Sequence, residues 1–401
     1  MPPLQRDYAY YCKVFRDVPR PLAFVDLDYF DENVRQIQQR ANGKKIRVAS
    51  KSVRCTALLR RILAAAAQYQ GIMAFHPAEA VFLSQQGFDD ILIAYPFWGD
   101  SYAEALAAEV QRGKRIYAMV DSQEQVQHLN AAAARLGTVL PLCLDIDLSS
   151  DFFGLHFGVF RSGVDQPEQA QRIAEFIASQ PNVRLEGVMG YEAQIAGVQD
   201  HVAGETLTNS LVPLLKRRSI PELRQRRAAI LQAITQTPGS GPLRLVNGGG
   251  TGSLESTSQE AGVTEVTAGS GFYSPTLFDG YSNFKHLPAA AFAIDIVRRP
   301  RPDLYTCLGG GYIASGSAGK SKLPTPYLPS GAHLIDNEGA GEVQTPVVYR
   351  GEQALAIGDP IFFRHAKAGE LCERFTHLHL VTDGQIIESV PTYRGQGMCF
   401  I

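Results

Sequence analysis

Eight short apolar runs recur through the first two thirds of the chain, each followed or preceded by a stretch with helical spacing. They are IRVAS (46–50), GIMAF (71–75), DILIAY (90–95), RIYAMV (115–120), LPLCLDID (140–147), RLEGVMGY (184–191), RLVNGG (244–249) and TEVTAGS (264–270). A strand with one wet face alternates apolar and polar residues. These runs are near-continuous, which is the pattern of parallel strands covered on both faces. Between them lie TALLRRILAAAAQ, AEAVFLSQQ, YAEALAAEVQR, QEQVQHLNAAAARL, PEQAQRIAEFIASQ and IPELRQRRAAILQAITQ, nearly one amphipathic segment per gap. Strands and helices in that number and over that length predict an α/β fold, a (β/α)8 barrel of about 250 residues.

The rest of the chain reads differently. LAFVDLD, followed by the helical DENVRQIQQRANG, is a ninth strand with its helix, and it can precede the barrel as an entry unit. After residue 285 helical periodicity stops, and short alternating segments such as AAFAIDIVRR, TPVVYR, PIFFRH and THLHLVTDGQIIESVPTY are separated by Gly and Pro. The expected organisation is an N-terminal extension (1–20), a barrel domain (21–285) and a smaller C-terminal β domain (286–401).

Charge and cysteine usage narrow the function. With 38 basic against 40 acidic residues and no long run of one sign, the chain offers no nucleic-acid or membrane surface, and a small molecule is the expected ligand. The six cysteines lack metal spacing or a dense disulfide framework, the N-terminus lacks a basic then apolar leader, and no segment nears the ~18 apolar residues of a span. A cytoplasmic protein is expected.

Chemistry in a barrel gathers where strands end, at the C-terminal face. Lys51 follows the first run directly, among Ala49, Ser50 and Ser52. A lysine there is either a solvated strand-end cation or an amine nucleophile toward a carbonyl. The seventh run ends in VNGGGTGSLE, where Gly248, Gly249, Gly250, Thr251 and Gly252 let backbone N–H groups converge on an anion, and the eighth ends in AGSGFYSP, with Gly269 and Ser270 as a second small-residue loop. Anion-friendly loops after strands seven and eight form the phosphate site that recurs in such barrels. A reactive lysine and a phosphate cradle ask for a ligand with both an aldehyde and a phosphate, and pyridoxal phosphate is that ligand. A second glycine-rich stretch, ASGSAGKS (314–321), satisfies the relaxed nucleotide phosphate-loop pattern but is followed by Pro324 and Pro326, which forbid the helix that pattern needs.

At this point the chain resembles the fold-type III pyridoxal-phosphate enzymes, in particular the D-threonine aldolase and D-serine dehydratase group related to the alanine racemase N-terminal domain. VASKS resembles the group's lysine motif, FRSGV its Arg-x-Gly-Val motif, VMGYEAQ its sixth-strand tyrosine motif and GGTG its phosphate loop. The resemblance implies that Lys51 bonds to the cofactor aldehyde, Arg161 contacts its phenolic oxygen, Tyr191 lies at its ring nitrogen, and Gly249, Gly250, Thr251, Gly252, Gly269 and Ser270 hold its phosphate. It further implies a lyase acting on a small β-hydroxy amino acid of D configuration, by retro-aldol cleavage or dehydration, and a homodimer in which each β domain covers the partner's site.

Relatives in this group also carry a divalent metal, zinc or manganese, on a His and a Cys or Asp two residues later. His365 in FFRHAKAGELCERF matches the histidine, but two residues on stands Lys367, and the nearest thiol is Cys372. His365 with Cys372 is the expected metal pair, and the alternative is that the Lys367 ammonium replaces the ion. His377 and His379 in THLHLV are a further metal option. Two other functions compete: a racemase, whose second base would be sought among Tyr312, Tyr327 and Tyr393, and a non-catalytic cofactor-binding homeostasis protein.

Overall fold

The structure is a computed structural model that describes residues 6–152, 154–202 and 204–401. The chain divides into two compact units that interleave in sequence. One comprises Ile37–Lys51, Leu59–Gly269 and Phe400–Ile401, and the other Met1–Gln36, Ser52–Leu58 and Ser270–Cys399.

In the first unit eight strands, numbered one to eight in chain order, close into the expected parallel barrel. They are Lys45–Ala49, Tyr69–Ala74, Ile91–Ile93, Ile116–Val120, Leu140–Ile146, Val183–Gly190, Leu245–Gly248 and Glu265–Ala268. The seam is a parallel pairing of strand eight on strand one, with Glu265 opposite Lys45 and Ala268 opposite Val48. Side chains alternate between two environments, as a closed sheet demands. Leu92, Tyr117, Met119, Cys143, Met189 and Leu245 pack with one another. Their neighbours Ala118, Val120, Leu142, Leu144 and Val188 pack instead with Val126, Leu129, Ile173, Ile177 and Ile230 of the covering helices Gln123–Arg135, Pro167–Ala178 and Thr206–Gln236.

Among the apolar side chains sits a charged cluster that the apolar runs do not announce. Arg47, 1% exposed, donates to both carboxylate oxygens of Glu265 (2.6 and 3.0 Å), to the Asp90 carboxylate (2.8 Å) and to the Asp90 carbonyl (2.6 Å). Asn247 on strand seven donates to the same Glu265 (2.8 Å). Burial pushes the Asp90 carboxyl up, but Arg47 outweighs it and leaves that group below its ordinary value. One guanidinium thus ties strands one and eight across the seam.

In the second unit, nine strands among the described residues form one sheet. Its path runs His333–Leu334, Gln344–Val348, Leu304–Leu308, Ala290–Arg301, Leu22–Asp26, His377–Thr382, Gln385–Pro391, and Pro360–Arg364 pairs both with Ala290–Arg301 and with Thr325–Leu328. LAFVD is therefore not the head of the barrel, as its place in 21–285 suggested. It lies antiparallel to Ala290–Arg301 and parallel to His377–Thr382, and all five of its residues are buried. A continuous apolar run reads alike in either sheet, so sequence pattern cannot assign it. The extension before it folds too: the helix Tyr8–Val14 contributes Tyr11, which with Phe15 packs on Phe24 and Phe362. After ASGSAGKS comes a single 3₁₀ turn and then the strand Thr325–Leu328, so the helix that a nucleotide phosphate loop requires is replaced by a strand, as the two prolines dictate.

Replacing Arg47 by Met should destabilise the protein by about 3–5 kcal/mol, because Glu265 and Asp90 would be left as uncompensated buried charges. Urea unfolding followed by circular dichroism measures this, and a change under ~1 kcal/mol would show that the cluster does not hold the seam.

Candidate functional site

The seam decides what lies near Lys51. Val48 pairs with Ala268, so the residues just beyond each, Lys51 and Gly269, leave adjacent strands at the same end of the barrel. Strand seven, which ends at Gly248, pairs on the other side of strand eight. Lys51 sits in the 3₁₀ turn Ser50–Ser52 and is exposed, while the Ser50 hydroxyl donates to the Met73 carbonyl on strand two (2.9 Å) and fixes the start of the turn. Position alone left Lys51 open as a solvated cation. The structure places an aromatic and a charged group at this end of the barrel.

The first is Tyr95, two residues past strand three, whose ring centroid lies 6.0 Å from Lys51 Nζ. Burial would raise the Tyr95 phenol, but the charges of Lys51 and Arg161 outweigh it and leave the group below its ordinary value. The second is Arg161 itself, which strand-end logic did not find. Its Nε donates to both oxygens of Asp145 (2.8 and 3.1 Å), one of its terminal nitrogens reaches the Ala94 carbonyl, and its guanidinium lies 4.8 Å from the Tyr95 ring and 6.0 Å from the Tyr191 ring. Ser162 holds the loop by donating to the Asp145 carbonyl (2.9 Å). FRSGV is thus a fixed element, with the Arg161 side chain 13% exposed.

Behind it, Asp145 is buried at the end of strand five. Burial raises its carboxyl, Arg161 pulls it back, Asp121 and Asp147 raise it further, and the balance leaves it at about 7. Tyr191 ends strand six, and its phenol is raised to about 12 by burial, then by Tyr95 and Glu192, against Arg161. It is a neutral hydrogen-bonding group at neutral pH.

The glycine loop after strand seven is held by Glu192, the residue after Tyr191. Glu192 accepts from the Gly249 N–H (2.7 Å), from the Thr257 hydroxyl (3.2 Å) and from the buried Arg227, which also pairs with Glu260 (2.5 Å). Gly249 has φ +79°, a left-handed conformation that favours glycine. A Cβ on Gly250 would stand 3.0 Å from Ala196 Cβ and 3.2 Å from the Tyr191 ring, so glycine there lets the loop touch that ring. This modifies the expected phosphate cradle. The Gly249 N–H is engaged by Glu192 and the Gly250 N–H by Ser253 Oγ (3.1 Å), so these two glycines shape the loop. Thr251 and Gly252 follow, both buried, and Arg40 donates to the Thr251 carbonyl (2.7 Å). Gly269 ends this unit, and in the other unit Ser270 Oγ lies 3.0 Å from Ser52 Oγ.

His365 and Cys372 belong to the second unit. Each touches Tyr273: the His365 ring lies edge-on at 6.2 Å between centroids, and Cys372 Sγ is 4.0 Å from the Tyr273 hydroxyl. Burial and the Arg364 charge push the His365 imidazole down to about 3, so it is neutral, and neither ring nitrogen meets a well-formed hydrogen-bond partner among the described residues. Cys372 differs. Its thiol donates to the Val53 carbonyl (3.4 Å), and burial raises it to about 12. Among the described residues no group of three His, Cys, Asp or Glu side chains is placed to hold a metal ion. Neither the expected pair nor His377 with His379 has a third such donor beside it among the described residues. Tyr312, considered as a racemase base, packs its ring on Phe292 and Phe375, and Tyr393 is 1% exposed.

Comparison with known proteins now bears on this arrangement. The family described as alanine racemase, N-terminal domain matches residues 25–275. The chain belongs to this family. A 3-hydroxy-D-aspartate aldolase of Paracoccus denitrificans is 23% identical over 256 residues, 63% of this chain and 60% of that protein. The chain thus matches about three fifths of that relative's length. A D-threonine aldolase of an Arthrobacter species is 24% identical over 294 residues, covering 71% and 70%. Among solved structures, D-threonine aldolase from Filomicrobium marinum superposes with a TM-score of 0.80 at 21% identity over 94% of this chain and 96% of its own. D-threo-3-hydroxyaspartate dehydratase from Delftia sp. HT23 does so with 0.73 at 19% identity over 96% and 99%. At such identity the likeness is one of fold, and it extends through the C-terminal β region. Among the described residues no helix is long and apolar enough to cross a membrane.

Because the Asp145 carboxyl is raised in the folded protein, the folded state binds more protons than the unfolded chain between about 4 and about 7. Its contribution to stability should therefore fall as pH rises through that window. Urea unfolding across the window, on the wild type and on Asp145→Asn, should show this slope in the wild type alone. Equal slopes would place the carboxyl at its ordinary value.

Proposed function

We propose that this protein is a pyridoxal-phosphate-dependent lyase acting on small β-hydroxy amino acids of D configuration, by retro-aldol cleavage or dehydration. The observation that carries the reading is the seam of the barrel, which sets an exposed strand-end lysine beside the loops after strands seven and eight. The family membership and the named activities of the aldolase and dehydratase relatives support it.

The residues present suit the cofactor. Lys51 would hold it covalently, Thr251, Gly252, Gly269 and Ser270 would bind its phosphate, and Arg161 would meet its phenolic oxygen. When bound, the cofactor supplies an electron sink for the bond broken at the substrate α-carbon. Tyr191, neutral across the physiological range, can donate a hydrogen bond to the ring nitrogen without supplying a full charge. Such a donor makes a weaker sink than a carboxylate partner would, so substrates with a β-hydroxyl, whose own proton helps cleavage, are favoured. The Lys51 amine, once released, is the group that takes or returns the α-proton. No step is assigned to a metal ion, since His365 and Cys372 have no third His, Cys, Asp or Glu donor beside them among the described residues. Lys367 stands two residues after His365, where the resemblance expects the second metal ligand. We also propose that the protein works as a cytoplasmic homodimer, as the resemblance implies, for which light scattering is the measurement.

Purified protein given pyridoxal phosphate should develop a visible absorption band. Borohydride should fix the cofactor on Lys51 in peptide maps, and Lys51→Ala should lose both band and turnover of D-threonine or D-3-hydroxyaspartate. Label on Lys44 or Lys45, or turnover of the L isomers alone, would overturn the reading. Turnover should survive chelation with well under one metal ion per chain, and Lys367→Met should lower it far more than Cys372→Ser. The reverse order would restore the metal.

A further inference from the structure

Glu192 is a buried carboxylate, 3% exposed, bonded to a loop that is expected to receive an anion, so its own charge has the wrong sign for that place. Its Oε2 accepts from the Gly249 N–H (2.7 Å). Its Oε1 accepts from the Thr257 hydroxyl (3.2 Å) and from the buried Arg227, which also pairs with Glu260 (2.5 Å). A Cβ on Gly248 would stand 2.9 Å from the Thr257 methyl and 3.0 Å from an Arg227 nitrogen, so this network packs directly against the loop. Two residues beyond Gly249 the loop is tied again. Arg40 donates to the Thr251 carbonyl (2.7 Å) and to the Glu255 carboxylate (2.5 and 3.0 Å). Between these ties Gly249 takes its left-handed φ of +79°, and the Gly250 N–H turns to Ser253 Oγ (3.1 Å).

We propose that Glu192 is a positioning residue for the cofactor phosphate: by holding the Gly249 N–H it shapes the loop that Thr251 and Gly252 belong to, and so sets the preference for the phosphorylated over the unphosphorylated cofactor. Two effects of this side chain oppose each other. As a charge, it repels a nearby anion and weakens phosphate binding. As an acceptor, it fixes the turn before the ligand arrives, which removes the cost of ordering the loop on binding. Arg227 decides between them, because its guanidinium offsets the carboxylate and leaves the hydrogen bond to Gly249 as the main effect. The site also explains why a carboxylate is used. One side chain must accept from Gly249, Thr257 and Arg227 together, and an amide, with a single acceptor oxygen, cannot serve both ends.

This inference rests on the pyridoxal-phosphate reading, and its test separates the two. Full-length protein stripped of cofactor is titrated by equilibrium dialysis with pyridoxal phosphate and, separately, with pyridoxal, which carries the same aldehyde without the phosphate. The visible band reports the bond to Lys51 in each case. Glu192→Gln keeps the shape of the side chain and an acceptor for Arg227 but turns an NH2 group toward the Gly249 N–H. It should weaken pyridoxal phosphate about tenfold or more and leave pyridoxal within about twofold, since a buried N–H loses its acceptor. Glu192→Asp, which restores the carboxylate, should recover part of the loss. Thr257→Val removes one donor to the same carboxylate and should shift the preference in the same direction by a smaller factor, and it decides the matter if Glu192→Gln does not fold. Unchanged or tighter binding of pyridoxal phosphate would show that Glu192 acts only as a charge, and would overturn the inference. Equal weakening of both ligands, or a wild type that binds both equally, would overturn it as well. A wild type that bonds neither ligand at Lys51 would overturn the cofactor reading itself.

Discussion

The parallel pairing of strand eight on strand one is the constraint on which the barrel and its chemistry depend. Strands that are apolar on both faces cannot leave an edge exposed, and closure gives every ladder group a partner. Closure also needs the right register, because a slip of one residue turns every side chain to the opposite face. The buried Arg47 specifies that register. Its two bonds to Glu265 are available only when Lys45 stands opposite Glu265, and its bonds to Asp90 extend the same constraint to strand three. A buried ion cluster contributes little net stability compared with apolar residues of equal volume, but mispairing it leaves unpaired charge in the interior. The same register carries Lys51 and Gly269 out of the barrel side by side.

Around the open end the charges are arranged in two rows, and they work by different means. In one, Asp145 accepts from Arg161, and the Arg161 and Lys51 cations lie 4.8 and 6.0 Å from the Tyr95 ring, so each charge acts on the next group. A carboxyl held near neutrality by burial makes this row responsive to pH. In the other, Glu192 and Arg227 are buried together, and their task is mechanical: Glu192 pulls the Gly249 N–H inward and so sets the turn before any ligand arrives. Preorganised loops bind anions without the entropic cost of ordering them. Tyr191 and Glu192 are consecutive, so the end of strand six serves both rows.

Much of this was legible in the residues. Eight near-continuous apolar runs with helices between them mark the barrel, and strand ends followed by small residues mark Lys51, the loop after Gly248 and the Gly269–Ser270 turn. Tyr95 was legible by the same rule, since it ends DILIAY as Tyr191 ends RLEGVMGY, but a tyrosine beside an apolar run also reads as core. Arg161 needed the family motif, because a loop arginine shows its role only when its partner is known, and Asp145 lies sixteen residues away inside an apolar strand. Glu192 and Arg227 were not legible, because their partnership spans 35 residues and exists only once the helix Thr206–Gln236 has packed. LAFVD was misassigned for a related reason. Local pattern gives burial, whereas the choice between two sheets depends on pairing with strands more than 250 residues later.

The segment HAKAGELC shows how burial acts in opposite ways on two side chains that sequence alone treats as equivalent ligands. Loss of water disfavours the charged form of each. For an imidazole the neutral form is the one that binds metal, so burial of His365 leaves a usable lone pair. For a thiol the anion is the ligand, so burial of Cys372 keeps the proton that points at the Val53 carbonyl, and an ion would have to displace it. The two residues therefore do not form a site merely by approaching the same tyrosine. A metal would need a carboxylate or a second imidazole nearby, and the chain has a lysine at the position that would supply one. Two residues after His365 in sequence the chain has an ammonium, which has no lone pair to offer an ion.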